Sequence, residues 1–541
     1  MQVFERLDFA KIGVNMYEKT SLSILENTPL FRQWIGISCS FTNNAVIAIQ
    51  AFFAKLRGIL VFTKTALVPI MNFFLKWMQD KRQHVADVVR FLFEIFTLIL
   101  LFLWPIEILT ATPVLFHCNL PNLDFLSWLW VIVVMIYRVF APKRFCPLFS
   151  DKVFIGFIFL LGAWAIIAYH RAPLRDYFSF LWTQRFILWL VLIWTTSRVR
   201  WSPMLVRRIA YVVVWIGMLI SLYAMVEQVA WFRWHKALSY QPQLFAGVHH
   251  MRSSATFYNP NLLAAFLMFV IPITLWLDFY RYRLGRKNQS FFFVLALLLQ
   301  VMALGYTYSR SGFLLLVGFA ITVILLSFFH PQLKSAQSFL ITHASFLLLV
   351  MFVFVLTNPA MQWRLHAFIP TESLTVEELT HEHSAEAILR DFDPQGRHIV
   401  CLPGNRIVMW HGALKVIYHY PWTGIGFGNF RYFFNWWHAH QLLLEVAVAS
   451  GLVGVGLFLA LVLLLLKAWI KTLKMTGSYF SEQTKFGASQ MILWGAISVT
   501  AIFFFHSFVE YLVGSISIVG YTGFFLGLLY HFSITDTPQE S

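Results

Sequence analysis

Three side chains stand out for the chemistry they could do together. Arg252 lies in MRSSATFYNPN (251–261), Arg310 in YSRSG (308–312) and His440 in HAHQLLLEVAVASGLVG (438–454), each at the border of a long apolar segment. A guanidinium grips phosphate oxygens in pairs and stabilises negative charge on a departing group. A neutral imidazole titrates near neutrality and can take a proton from an attacking hydroxyl. Each residue alone has a plainer reading: an arginine at the end of a membrane span snorkels to headgroups, and a histidine at a helix start caps or packs. Convergence of the three on one face would instead build a site for an anionic, lipid-linked substrate, and ionisable groups at membrane depth are functional candidates by default.

The elements that must position them follow from composition. Of 541 residues, 59% are apolar and 12% charged, with 57 Phe, 21 Trp and 19 Tyr, which excludes a soluble globular enzyme and a disordered chain. The expectation is an all-α integral membrane protein of about 12 transmembrane helices with a large helical periplasmic loop. A crossing takes about 20 apolar residues, and the segments are 91–110, 122–140, 153–169, 178–197, 209–231, 261–280, 290–307, 311–329, 339–357, 440–466, 487–506 and 514–533. Basic clusters such as Lys143/Arg144, Arg207/Arg208, Arg281/Arg283 and Lys467/Lys471 follow the even-numbered spans. By the positive-inside rule these connections, and both termini, are cytoplasmic. Arg252, Arg310 and His440 then share the outward face.

The domains expected are an amphipathic interfacial extension at 1–90, spans at 91–357, the large outward loop at 358–439, spans at 440–533 and a tail at 534–541. Met1–Ala10 has acidic residues and no apolar core, unlike a cleavable signal peptide. The net charge of +16 comes from basic residues interleaved with spans, so nucleic acid is not an expected partner. The four cysteines show no CxxC spacing.

The long loop is too long for a passive connector. Its acidic middle, Glu372 to Asp393, contains His381-Glu382-His383, but on a helix an i,i+2 pair points to different sides and lacks the i,i+4 spacing of zinc proteases. A solvated acidic helix is the reading there, and no metal is expected. GIGFG (424–428) lacks the strand–helix context of a phosphate loop, so its glycines are read as allowing a turn or a close backbone approach. Gly451, Gly454 and Gly456 are read as a close helix–helix contact.

Four pieces in order resemble the O-antigen ligase and O-antigen polymerase superfamily of bacterial membrane proteins. They are Arg252 with TFYNPNLLA (256–264), SRSG (309–312), PWTGIGFGNF (421–430), and His440-Gln441 followed by Gly451-x-x-Gly454. The resemblance covers about 90–533. It departs at Ala255, where the family often has Gly, and at Ala449, where it often has an acidic residue, with Glu445 one turn earlier.

The resemblance implies a glycosyltransferase-type ligase in the bacterial inner membrane. Such an enzyme moves a glycan from an undecaprenyl-diphosphate carrier to a lipid A-core-like acceptor on the periplasmic side, without cofactor or metal. It implies His440 as general base, Arg252 and Arg310 on the diphosphate, and Arg406, Trp410 and Gln441 as acceptor or loop contacts. The alternatives are a polymerase or a protein glycan ligase, and, in another class, a bicarbonate-type transporter. Arg185, deeper in its span than the other ionisable residues, is what most favours a transporter.

Overall fold

The computed structural model describes residues 82–107, 122–146, 151–366 apart from 174, 237, 239–242, 246–247, 287–289 and 335, then 372–374, 399–401, 406–433, 438–478 and 488–534 apart from 509. The chain divides into two units, Met1–Val85 and Ala86–Ser541. Most of the expected 1–90 extension, the tail and the His381–His383 triplet lie outside the described residues.

Each of the twelve expected segments contains a described helix. They are α1 (Arg82–Leu103), α2 (Asn122–Phe140), α3 (Lys152–Arg171), α4 (Tyr177–Arg198), α5 (Pro203–Trp234), α6 (Pro260–Arg283), α7 (Ser290–Tyr306), α8 (Arg310–Phe329), then, after the short α9 (Pro331–Lys334), α10 (Gln337–Thr357). After the long loop come α14 (Leu442–Ser478), α15 (Ala488–Ser507) and α16 (Ile516–Ile534). Among the described residues ten are long and apolar enough to cross a membrane. Two of the twelve fall short: α7 has 17 residues, and α1 carries Asp87, Arg90 and Glu94. Helix α1 also begins at Arg82, nine residues before the expected span, its first turns tied by the Arg90–Glu94 pair at i,i+4.

Nearly every residue of α6 and α16 is buried, so these two helices form the centre. Helix α16 lies along α4, and α6 along α15, α7 and α5. Gly523 and Gly527 make the α16–α4 approach close: a Cβ on Gly527 would sit 2.6 Å from the Ile193 carbonyl oxygen.

Two features depart from a purely helical loop architecture. Between α5 and α6, β1 (Gln243–Phe245) pairs antiparallel with β2 (Val248–Arg252), which ends on Arg252. In the long loop, α11 (Pro359–His366) precedes β3 (Glu372–Leu374), which pairs with β4 (Ile399–Cys401), followed by α12 (Arg406–His419) and α13 (Phe430–Phe433). Such short strands carry no apolar periodicity to read.

The connections that hold Arg252, Arg310 and His440 meet at one end of the bundle. The Ser253 amide donates to the Tyr306 carbonyl at 2.9 Å, and the Thr256 hydroxyl to the Pro105 carbonyl at 2.6 Å. Asn429 reaches the Ser179 hydroxyl at 2.9 Å.

Helix α14 is broken at Gly451, whose φ of 65° and ψ of −172° are not helical. The break frees backbone groups, and a freed group inside a bilayer must be satisfied by protein. The amides of Ile425 and Gly426 donate to the carbonyls of Val448 and Ala449, both at 2.8 Å. Trp164 on α3 donates to the Ser450 carbonyl at 2.8 Å, and the Leu452 amide to the Pro421 carbonyl at 2.7 Å. GIGFG and the glycine pair are thus two halves of one joint. Gly424, Gly426 and Gly428 all have positive φ; the close approach expected of them is to the α14 backbone at Gly424, to Ala172 just after α3 at Gly426 and to the Phe178–Ser179 backbone of α4 at Gly428. The helix–helix reading of the other glycines needs correction at Gly451, which breaks the helix against Trp422, and at Gly456, which among the described residues has nothing within 4 Å of its Cβ position. Gly454 does face α3, 3.3 Å from Trp164.

Candidate active site

Each predicted cation starts from a local turn that explains its position. Arg252 ends β2, and the next residues are held from α5: Gln228 donates to the Met251 carbonyl at 3.0 Å and to Ser253 Oγ at 2.8 Å. Glu227 accepts from the amides of Ser254 and Ala255 at 3.2 and 3.0 Å. Ala255 has φ 49°, a left-handed conformation that glycine adopts without steric cost. That is the position at which the family often has Gly. Asn259 then caps α6, accepting from the Asn261 amide at 2.8 Å, with Pro260 in the first turn. Arg310 opens α8, capped by Ser309, whose hydroxyl accepts from the Gly312 amide at 3.3 Å.

His440 sits just before α14 with φ 51°, a conformation uncommon outside glycine. Two bonds hold this turn. Glu445, buried on the first turn of α14, accepts from the Ala439 amide at 2.8 Å, and the His440 amide donates to His438 Nδ1 at 3.1 Å.

A residue outside the expected set joins them. Glu510, in the turn between α15 and α16 with a side chain only 2% exposed, places Oε1 2.7 Å from His440 Nδ1. Its Oε2 accepts from Asn261 Nδ2 at 2.9 Å, and Asn261 Oδ1 accepts from the Arg252 guanidinium at 2.8 Å. Arg252 also donates to the Thr307 carbonyl at 2.9 Å, three residues before Arg310. One turn before Glu510, His506 Nε2 lies 3.1 Å from the hydroxyl of Ser311, the neighbour of Arg310. His506 and Glu510 therefore connect all three predicted regions.

The arrangement defines a polarity. With Glu510 ionised and the ring neutral, the proton between the two groups sits on Nδ1, and Nε2 of His440 keeps its lone pair. The His440 side chain is 22% exposed, so that nitrogen belongs to a group that solvent or substrate reaches. Behind it the wall is aromatic: Trp182 stacks on Tyr511 at 5.2 Å between centroids, and Tyr511 lies 5.6 Å from His438. Burial pushes the Tyr511 phenol well above its usual range, so it stays neutral.

The remaining predicted residues divide. The Gln441 side-chain oxygen accepts from the Leu444 amide, a helix cap on α14. Trp410 is half-buried on α12 with its indole nitrogen unpartnered among the described residues. Its helix packs against this end through Met409, Ala413 and Val416, which meet Ile425, Phe430, Ala439 and Val448. Arg406 opens α12, and its side chain lies outside the described residues. Arg185 is accounted for elsewhere: it grips Asp124 with two bonds of 2.9 Å and donates to the Gly514 carbonyl at 2.7 Å.

Only a weak signal could have found Glu510 in advance. HSFVEYLVG (506–514) is a short turn between two apolar spans, and Glu510 is its single acidic residue. It lies 70 positions from His440, beyond any helical or strand spacing.

Residues 293–459 match the family model described as O-antigen ligase. The match spans α7, α8, α10, the long loop and the first half of α14, and so includes Arg310, the GIGFG joint and His440. It supports the O-antigen ligase superfamily and, with it, glycan transfer of the ligase or polymerase type in a membrane. No curated protein matches the chain.

Proposed function

We propose that this member of the O-antigen ligase superfamily transfers a glycan from an undecaprenyl-diphosphate carrier to a hydroxyl of a lipid A-core-like acceptor, at the periplasmic face of the bacterial inner membrane. His440 takes the acceptor proton on Nε2 as the hydroxyl oxygen forms its bond to the anomeric carbon. The bond from that carbon to the carrier diphosphate breaks on the opposite side, and its electron pair leaves with the phosphate. Arg252 and Arg310 stabilise the charge that develops there. Glu510 positions His440 and stabilises the imidazolium as it forms. The displacement inverts the anomeric centre and needs no metal, the guanidinium groups supplying the positive charge.

The observation that carries this reading is the unbroken chain from His440 through Glu510 and Asn261 to Arg252. It couples a base to a phosphate-type cation on one end of the bundle, as group transfer requires. A transporter reading rested on Arg185, and that residue is committed to Asp124 and to the Gly514 turn.

The test is glycan transfer in membranes from an undecaprenyl-diphosphate-linked donor, with EDTA present, comparing wild type with His440→Ala, Glu510→Gln and Arg310→Ala at equal expression. Transfer by wild type and its loss in the variants supports the reading. Full transfer by His440→Ala, or a solute flux in place of transfer, overturns it.

A further inference from the structure

The same turn adds a third donor, His438, that base catalysis does not use. His438, His440 and Glu510 each offer a donor atom, and the three donors lie within 4.8 Å of one another. The two imidazole rings are 4.0 Å apart between centroids. A His-x-His pair on a helix diverges, but 438–440 is not helical, and the left-handed conformation of His440 folds both rings to one side. Donors around a tetrahedral zinc ion at its usual bond lengths stand about 3.3 Å apart, so rotations of the side chains bring these three into range.

We propose that His438, His440 and Glu510 form a site for an imidazole-preferring divalent transition ion such as Zn²⁺ or Co²⁺, and that its occupancy switches transfer off. Two imidazoles and one carboxylate favour these ions over Mg²⁺ or Ca²⁺, which take oxygen ligands. Three protein ligands leave a fourth position for water, and the partial exposure of His440 provides the way in. Binding exchanges the His440 Nδ1–Glu510 bond for metal bonds as the ring is recruited, and the His440 amide bond to His438 Nδ1 as well where that nitrogen is the ligand. An imidazole held by a metal has no lone pair for an acceptor proton. The inhibition therefore rests on His440 being the base; the binding does not.

The experiment uses the full chain in detergent, carrying a tag without histidines and stripped with EDTA, then dialysed. Co²⁺ is the binding probe and Zn²⁺ the activity probe. One Co²⁺ per chain, with a visible absorption band that His438→Gln and Glu510→Gln each abolish, supports the site. Absence of stoichiometric Co²⁺, or a band that both variants leave intact, overturns it. Because His438→Gln can still accept the His440 amide, it serves as the variant least disturbing to the turn, and a monodisperse elution profile checks its fold. Micromolar Zn²⁺ lowers wild-type transfer at least about tenfold, and EDTA restores it. Bound Zn²⁺ that leaves transfer unchanged, or raises it, overturns the switch. A wild type that transfers nothing under any condition defeats the proposed function instead, and the Co²⁺ band still decides the site.

Discussion

Two buried carboxylates, Asp124 and Glu510, sit at the same end of the bundle and are held in opposite ways. Asp124 is gripped by both arms of Arg185 at 2.9 Å and accepts from Gln184 as well. Glu510 divides its oxygens between the ring of His440 and the neutral amide of Asn261. A carboxylate chelated by arginine has a fixed charge partner, because guanidinium does not release its proton in a protein. A carboxylate on a part-exposed histidine has a partner whose charge can change. The first arrangement is a clamp, tying α2 to α4 and to the 514 turn; the second can follow a proton through a reaction.

The largest effect that would break this comparison is on transfer. His440→Ala is expected to lower the rate about 10²–10⁴-fold, the range for loss of a general base, with the protein folded to the same extent as wild type. Glu510→Gln should approach that loss, since the amide holds the ring less well and cannot answer the imidazolium charge. A rate measurement beside a thermal melt in detergent separates the two contributions. Equal melting with unequal rates supports the contrast; a collapse in melting would make Glu510 a clamp as well.

At the clamp the expectation reverses. Arg185→Met leaves Asp124 buried without its cation and costs about 3–5 kcal/mol, read as loss of monodisperse protein. The double variant Arg185→Met with Asp124→Leu should recover most of that stability, because a buried ion pair is often replaceable by apolar side chains of similar volume. Its transfer rate should stay within about tenfold of wild type. A folded double variant as inactive as His440→Ala would move Arg185 from clamp to chemistry.

The glycine joint sharpens the contrast without touching charge. A Cβ on Gly451 would sit 2.3 Å from the Trp422 carbonyl oxygen at a φ of 65°, so Gly451→Ala is expected to cost about 2–4 kcal/mol by strain and clash. Gly456, with nothing within 4 Å and ordinary helical geometry, should gain about 0.5–1 kcal/mol as alanine. Melting both variants tests whether the motif is a hinge point or a uniform small-residue face.

Much of this was legible before the structure. Apolar length places most of the helices to within a few residues, the start of α1 and the end of α14 excepted, because lipid leaves the backbone few alternatives. Arg252, Arg310 and His440 could be singled out because each is a titratable or cationic group where apolar sequence begins. What stayed hidden depends on contacts distant in sequence. Glu510 lies 70 residues from its histidine, and Asn261 reads as helix-start chemistry although its side chain bridges Arg252 and Glu510. The link between GIGFG and Gly451 is likewise a backbone pairing, which side-chain patterns do not report. His438-Ala-His440 shows the limit of spacing rules: the same i,i+2 separation counts against a site on a helix and for one on a left-handed turn.

The smallest effect expected lies at the rim, where Asp176 completes the contrast as a carboxylate held in solvent. It caps α4, accepting from the Ser179 amide at 2.9 Å, and it pairs with Arg431 beyond the glycine joint. Burial alone would raise its pKa, but the Ser179 amide and the Arg431 guanidinium outweigh that and hold it below the usual carboxylate range. A lowered folded pKa contributes stability that is fully present above the unfolded value and is lost as pH falls through the folded one. With the side chain 39% exposed, solvent and salt screen the pair, so the charge contributes at most about 0.5 kcal/mol. Asp176→Asn keeps a side-chain oxygen for the cap and removes only the charge. Melting curves for the two proteins should therefore differ slightly at neutral pH and converge on acidification below the ordinary carboxylate pKa. A gap that persists in acid would show that the Asp176 carboxylate acts by geometry and not by charge, and would remove it from the contrast between Asp124 and Glu510.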